Sequence, residues 1–176
     1  IIKKYYSKKK LISKVHTIYT GKNTLTGGRL LRLKKYFKKG ENFMVTYGDG
    51  LIDINIKELI NFHQKNKKLA TVTVVKIQVP QERFGIVYFK KRNIVKKFLE
   101  KPNIKEIYIN GGFFILSPKI LKYIKSSKTR WEAYPMQKIA KIKELAAYRH
   151  NGFWKCMDTS RDRTYLEKFK KKMPWI

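Results

Sequence analysis

The sequence has a single cysteine, Cys156, which excludes a disulfide scaffold and a cysteine-based zinc site and fits a reducing cytoplasm. No apolar run reaches the roughly 18–20 residues needed to cross a bilayer, so no transmembrane helix and no membrane partner are expected. The opening residues, IIKKYYSKKK, hold no apolar stretch of the kind a secretory signal needs. Walker-type phosphate loops and the G-x-S-x-G turn of serine hydrolases are absent, and His16, His63 and His150 lack metal-ligand spacing. Acids are scarce: 12 Asp and Glu stand against 42 Lys and Arg, a formal charge of +30. Arginine is scarce too, at 8 residues against 34 lysines.

That imbalance bears on nucleic acid. A basic surface attracts phosphates through counterion release, but the residue that reads base edges bidentately is arginine. The lysines are spread along the whole chain, and Ile, Asn and Tyr are also plentiful, as an AT-rich coding sequence would produce. Compositional drift therefore accounts for the charge better than a dedicated nucleic-acid surface, and no nucleic-acid partner is expected.

With 43% hydrophobic and 14% aromatic residues, 176 residues can bury a core of their own. Residues 1–40 hold thirteen basic residues and no acid, and 1–14 read as an unmatched basic segment. VHTIYT (15–20) alternates like a strand, GKNTLTGG (21–28) reads as a loop, and 29–37 have helical spacing up to a stop at Gly40. Residues 43–47 read as a short buried strand ended by Gly48-Asp49-Gly50, and Asp53 as the cap of a helix over 54–66. LATVTVVKI (69–77) is continuous and β-branched, the pattern of a strand buried on both faces. Strand-like runs follow at 84–90 and 93–99, and at 107–116 with a break at Gly111-Gly112. Helices are expected from Ser117-Pro118, near 132–143 and over 160–171, with a strand at 144–149. Strands alternating with helices predict an α/β fold with a mostly parallel, Rossmann-like sheet.

In such sheets ligands sit beyond the carboxyl ends of strands. Four segments occupy those places. YGDG (47–50) sets a hard oxygen ligand, Asp49, between two glycines; a tight turn capped by Asp would look the same. Glu100-Lys101-Pro102 offers an acid for sugar hydroxyls and a point charge for a phosphate, in a chain where lysine is common anyway. Asn110-Gly111-Gly112 is either a ligand wall or a β-bulge. GFWKCMDT (152–159) brings Asp158, a second carboxylate able to join Asp49 on one metal; Asp158, Thr159 or Ser160 could equally cap the last helix, and one residue can do both. Cys156 lies in an apolar run and reads as a core thiol rather than a nucleophile.

In order and spacing, NTLTGGRL (23–30), FMVTYGDGLIDINIKELINFH (43–63), LATVTVV (69–75), RFGIV (83–87), FLEKP (98–102), INGGFFIL (109–116), WEAYPMQKIA (131–140) and ELAAYRHNGFWKCMDTSRD (144–162) resemble the glucose-1-phosphate cytidylyltransferases, a family of the sugar-nucleotide pyrophosphorylase (nucleotidyltransferase) superfamily. The resemblance implies a reaction in which a sugar 1-phosphate oxygen attacks the α-phosphorus of CTP and pyrophosphate leaves. CDP-glucose then feeds dideoxysugar synthesis for surface polysaccharide such as O-antigen. It implies Mg²⁺ held by Asp49 and Asp158, Lys101 on the sugar phosphate, and Glu100, Asn110, Gly111 and Gly112 around the glucose hydroxyls. It implies Thr26, Gly27 and Gly28 against the cytosine, Gly48 and Asp49 beside the nucleotide, and Arg29 reaching the base or a neighbouring subunit of a homo-oligomer.

The family begins with a strand and a glycine-rich GGxGTR-type loop that wraps the triphosphate, and no such segment stands here. The expectation is that residues 15–176 form one domain matching the C-terminal two-thirds of the family fold. A fragment, a decayed gene product and half of a split enzyme all fit. On that view the polypeptide alone makes no detectable CDP-glucose. A lysine-rich nucleic-acid module and a non-catalytic subunit built on the same fold are the competing readings.

Overall fold

A computed structural model describes residues 5–6, 14–77, 86–89, 95–99 and 107–169. The chain divides into two compact units, one of residues 1–41 with 118–142 and one of residues 42–117 with 143–176.

The first unit is helical in its described part. Helix α1 (Thr26–Arg32) is followed by a 3-10 turn (Lys34–Tyr36), a second 3-10 segment (Pro118–Tyr123) and helix α3 (Tyr134–Lys141). Leu30, Ile120, Leu121, Ile124, Trp131 and Ile139 are buried. Each such side chain contributes about 1.5–3 kcal/mol when fully removed from water. Residues 15–20, expected as a strand, form none. Alternation favours extended chain, but a strand needs a ladder partner, and Val15, Ile18 and Tyr19 are exposed. The loop expected at 21–28 stops short: α1 starts at Thr26 and takes in both glycines.

The second unit is built on a four-stranded sheet in the order β1 (Phe43–Thr46), β6 (Ile107–Leu116), β3 (Ala70–Ile77), β7 (Leu145–His150). β6 is antiparallel to both β1 and β3, while β7 is parallel to β3. Three of the four strands thus run one way, as the α/β pattern predicts. The expectation of a mostly parallel sheet is corrected at the ladders: β6 runs reversed in the interior, so two of the three pairings are antiparallel. Ala70, Thr71, Val72, Thr73 and Val75 of β3 and Phe114–Leu116 of β6 are buried, which explains the continuous apolar runs. Hairpin β4 (Ile86–Phe89) and β5 (Val95–Leu99) forms a separate antiparallel pair.

Helix α2 (Ile56–Asn66) follows β2 (Gly50–Ile52). Its cap is Asn55, whose side chain accepts from Glu58 N at 3.2 Å, not the expected Asp53. Asp53 is drawn instead to His150, 2.8 Å away. His63 of α2 is buried, with Nε2 2.8 Å from Asn42 Nδ2 and Nδ1 2.8 Å from Thr71 Oγ1. Burial holds its pKa below 6.5. The remaining pair joins β2 to β8 (Trp154–Cys156), and helix α4 (Ser160–Phe169) follows β8.

Candidate functional site

The β2–β8 pairing positions the site. Gly50 stands opposite Cys156, Leu51 opposite Lys155 and Ile52 opposite Trp154. Met157 N donates to Asp49 O at 2.8 Å at one end, and Asp53 N to Phe153 O at 3.2 Å at the other. Asp49 precedes β2 and Asp158 follows β8, so an antiparallel register sets them side by side although 109 positions separate them. One ligand atom from each of Asp49, Cys156 and Asp158 lies within 4.8 Å of the others, with both carboxylates exposed. The sequence-based expectation of proximity for Asp49 and Asp158 is met in the geometry.

All four aspartates of the chain surround this pairing. Asp53 pairs with His150 at the far end, and a side chain at Gly152 would collide with Asp53 Oδ1 and come within 2.8 Å of His150 Cε1. Asp162 sits in the first turn of α4, where Thr159 and Asp162 form a capping box. Asp162 Oδ2 accepts from Thr159 N at 2.9 Å, and Thr159 Oγ1 accepts from Asp162 N at 3.2 Å. Asp162 also accepts from Asp158 N at 3.3 Å and pairs with Lys155 at 2.6 Å. The hydrogen bond from Lys155 comes first among the causes that hold the Asp162 carboxyl at about 2, followed by that from Thr159. The same bond raises the Lys155 pKa. Capping thus falls to Thr159 rather than to Asp158, and the Asp158 carboxylate is turned to the site.

Cys156 is half-buried, not a core thiol, which corrects the sequence reading. Its Sγ donates to Asp158 Oδ1 at 3.3 Å. Burial pushes the thiol pKa up, and the Asp158 hydrogen bond and the charges of Asp49 and Asp158 add to it. A protonated thiol leaves the two carboxylates as the hard donors. That set fits a small divalent cation such as Mg²⁺ or Mn²⁺, which keeps several waters and takes one or two carboxylates.

The Asn110–Gly112 wall lies beside this pair. Trp154 Nε1 donates to Gly111 O at 2.9 Å, and a Cβ on Gly50 would sit 3.8 Å from that same oxygen. β6 is continuous through the glycines, with a register shift against β3 between Val72 and Val74. Gly112 has φ +80°, and Asn110 Oδ1 accepts from Gly112 N at 2.8 Å, so Asn110 braces its own bulge. Gly48 is open: a Cβ there would meet nothing within 4 Å. Glu100 and Lys101 lie outside the described residues.

Thr26, Gly27, Gly28 and Arg29 belong to the first unit, where packing accounts for them. A Cβ on Gly28 would strike the Ser127 backbone, and one on Gly27 would come 2.9 Å from Thr129 O. Thr26 Oγ1 accepts from Trp131 N at 2.9 Å and donates to Glu132 Oε2 at 2.7 Å, while Arg29 donates to Thr20 Oγ1. A cavity of about 500 Å³ in this unit is lined by Leu25, Lys125, Lys128, Thr129, Arg130, Ala133 and Tyr134, and by none of those four residues.

The family model for nucleotidyl transferases matches residues 4–165, opening ahead of Asn23, where the first of the quoted motifs begins. The chain belongs to the nucleotidyl transferase family. Within it, the chain is 43% identical over 163 residues, 92% of its length, to a glucose-1-phosphate cytidylyltransferase of Salmonella typhimurium, of which it covers 62%. It is also 43% identical over 156 residues to a probable glucose-1-phosphate cytidylyltransferase of Bacillus subtilis, covering 59% of that protein. The chain therefore spans less than two thirds of the length of these relatives. Mannose-1-phosphate guanylyltransferases, such as one of Arabidopsis thaliana at 32% identity over 154 residues, are more distant members. Among solved structures, HddC of Yersinia pseudotuberculosis superposes with a TM-score of 0.67 at 21% identity over 98% of this chain and 73% of that one. A putative glucose-1-phosphate thymidylyltransferase of Bacillus anthracis gives 0.64 at 19% identity, over 87% of this chain and 63% of that one. Both share the nucleotidyltransferase fold. No described helix is long and apolar enough to cross a membrane.

Proposed function

We propose that this chain carries the metal- and sugar-phosphate-binding part of a nucleotidyltransferase that joins glucose 1-phosphate to CTP. In that reaction a phosphate oxygen of the sugar attacks the α-phosphorus of CTP, the bond from that phosphorus to the departing pyrophosphate breaks, and CDP-glucose forms. The observation that carries the reading is the juxtaposition of Asp49 and Asp158 across the β2–β8 pairing, taken with 43% identity to two cytidylyltransferases.

The attacking phosphate is already ionised near neutral pH, so the protein need supply no general base. Its task is positioning and charge neutralisation. Asp49 and Asp158 would hold the divalent ion, Mg²⁺ by preference, which screens the phosphate charges when bound. The Asp162–Thr159 capping box fixes the backbone that presents Asp158. The exposed, side-chain-free surface at Gly48 lets a phosphate or ribose approach the backbone. The resemblance assigns Asn110 and the bulge at Gly111-Gly112 to the sugar hydroxyls, and the Gly112 N to Asn110 Oδ1 hydrogen bond holds that bulge in shape. Lys101 is assigned to the sugar phosphate, and Glu100 to the glucose hydroxyls, on resemblance alone.

The second reading within the family is a guanylyl transfer to mannose 1-phosphate, favoured by the more distant relatives. Product binding separates the two. Calorimetric titration of the chain with CDP-glucose and with GDP-mannose, each with Mg²⁺, should show metal-dependent binding of CDP-glucose that weakens in Asp158→Asn. Preference for GDP-mannose, or binding indifferent to the metal, would overturn the assignment.

A further inference from the structure

Cys156 is a donor that a site for a hard ion does not use. It is the only cysteine in the chain, yet its sulfur lies in one cluster with both carboxylates. Mg²⁺ and Mn²⁺ prefer oxygen, whereas thiolate selects softer ions such as Zn²⁺ and Cd²⁺. Register makes the arrangement: Cys156 stands opposite Gly50, the residue that follows Asp49.

We propose that Asp49, Cys156 and Asp158 form a three-donor site for a thiophilic divalent cation of the Zn²⁺ class, which competes with the hard ion for the same two carboxylates. The inference rests on the reading of Asp49 and Asp158 as a cation-holding pair and adds the sulfur and the competition. The geometry suits it. Around a tetrahedral Zn²⁺, with Zn–S about 2.3 Å and Zn–O about 2.1 Å, sulfur and oxygen ligands stand about 3.6 Å apart and two oxygens about 3.4 Å apart. The Cys156 Sγ to Asp158 Oδ1 distance is 3.3 Å. The widest separation, under 4.8 Å, closes by rotation of exposed carboxylates. Their exposure leaves a fourth position for water. Binding exchanges the thiol proton for the metal: one Zn–S bond forms, and one proton passes to solvent. A site filled this way no longer offers its carboxylates to an ion that bridges phosphates, so the thiophilic cation acts as an inhibitor that a chelator removes.

The test is a Cd²⁺ titration of the full 176-residue chain under a non-thiol reductant, read by the near-ultraviolet sulfur-to-cadmium charge-transfer band. With one cysteine in the chain, that band reports Cys156 alone. Electron paramagnetic resonance of Mn²⁺ counts the hard ion separately. The expected result is a band that saturates at one Cd²⁺ per chain, disappears in Cys156→Ser and falls sharply in Asp49→Asn and Asp158→Asn. Cd²⁺ should displace Mn²⁺ one for one, and Cys156→Ser should bind Mn²⁺ as the parent does. Bound Mn²⁺ with no cadmium band would overturn the sulfur ligand while leaving the carboxylate pair intact. A band undiminished when both aspartates are replaced, or Cd²⁺ and Mn²⁺ binding together, would also overturn it. Absence of both ions would overturn the carboxylate pair as well.

Discussion

Replacing Gly28 with alanine tests whether the TGG segment serves packing or a nucleotide. A Cβ at Gly28 would strike the carbonyl oxygen of Ser127 and lie 2.6 Å from its Cα and 2.7 Å from its carbonyl carbon. Ordinary carbon–carbon contacts begin near 3.5 Å, so helix α1 and the 127–131 segment must part by about 1 Å. That segment is tied to α1 by Leu25 N to Ser127 O at 2.9 Å, Gly28 N to Thr129 O at 3.2 Å and Trp131 N to Thr26 Oγ1 at 2.9 Å. Overpacking of this kind costs about 1–3 kcal/mol, and one or two weakened hydrogen bonds add about 1 kcal/mol each. Alanine's better helix propensity returns about 0.8–1 kcal/mol. The expected net loss is therefore about 2–3 kcal/mol. With a urea slope of roughly 2 kcal/mol/M, the unfolding midpoint should fall by about 1 M in a circular-dichroism titration. Gly27→Ala, with its nearest contact at 2.9 Å, should cost less. If Gly28→Ala is neutral or stabilising, propensity outweighs the clash and the packing role is wrong.

Three further outcomes follow from the same geometry. Gly48→Ala should leave stability within about 0.5 kcal/mol, since nothing lies within 4 Å of the added methyl, yet weaken CDP-glucose binding; equal binding by both forms would remove Gly48 from the site. Asp162 is held at about 2 against an ordinary 3.8, so its contribution is full above 3.8 and is lost as pH falls through about 2; Asp162→Asn should flatten the acid limb of the stability curve, and an unchanged limb would count against the capping box. His63 is held below 6.5 by burial, so the fold should lose stability as pH drops below 6.5, with the imidazole Cε1 proton titrating below that value by NMR; titration at or above 6.5 would contradict the buried, neutral ring.

The legible parts of the fold are those where one residue pattern has one structural cause. LATVTVVKI could only be a doubly covered strand, and it is the centre of the larger sheet. The direction of β6 was not legible, because alternation and burial are the same for a strand read either way. Residues 15–20 misled for the related reason that extended chain is local while pairing is not. Asp49 and Asp158 stood out because each ends an apolar strand, and the antiparallel register between those strands brought them together. Asp53 and Asp162 were within reach of the same reasoning. In a chain with four aspartates, their clustering near residues 49–53 and 158–162 was a signal. Asp53 was instead read as a local cap, although Asn55 two residues later serves equally well and Asp53 is engaged by His150. The glycines of TGG announce a close approach without saying of what, and here the approaching group is backbone. Cys156 was hidden by its neighbours: an apolar run suggested burial, whereas the strand is short and lies at the edge of a two-stranded pair.

The central claim is that Asp49 and Asp158 share one divalent ion, and counting bound Mn²⁺ by electron paramagnetic resonance tests it most directly. The account predicts one ion per chain. It predicts loss of that ion in either Asp49→Asn or Asp158→Asn, with the far-ultraviolet circular dichroism unchanged. Mn²⁺ binding that survives both substitutions, or that is absent from the folded parent chain, would contradict it.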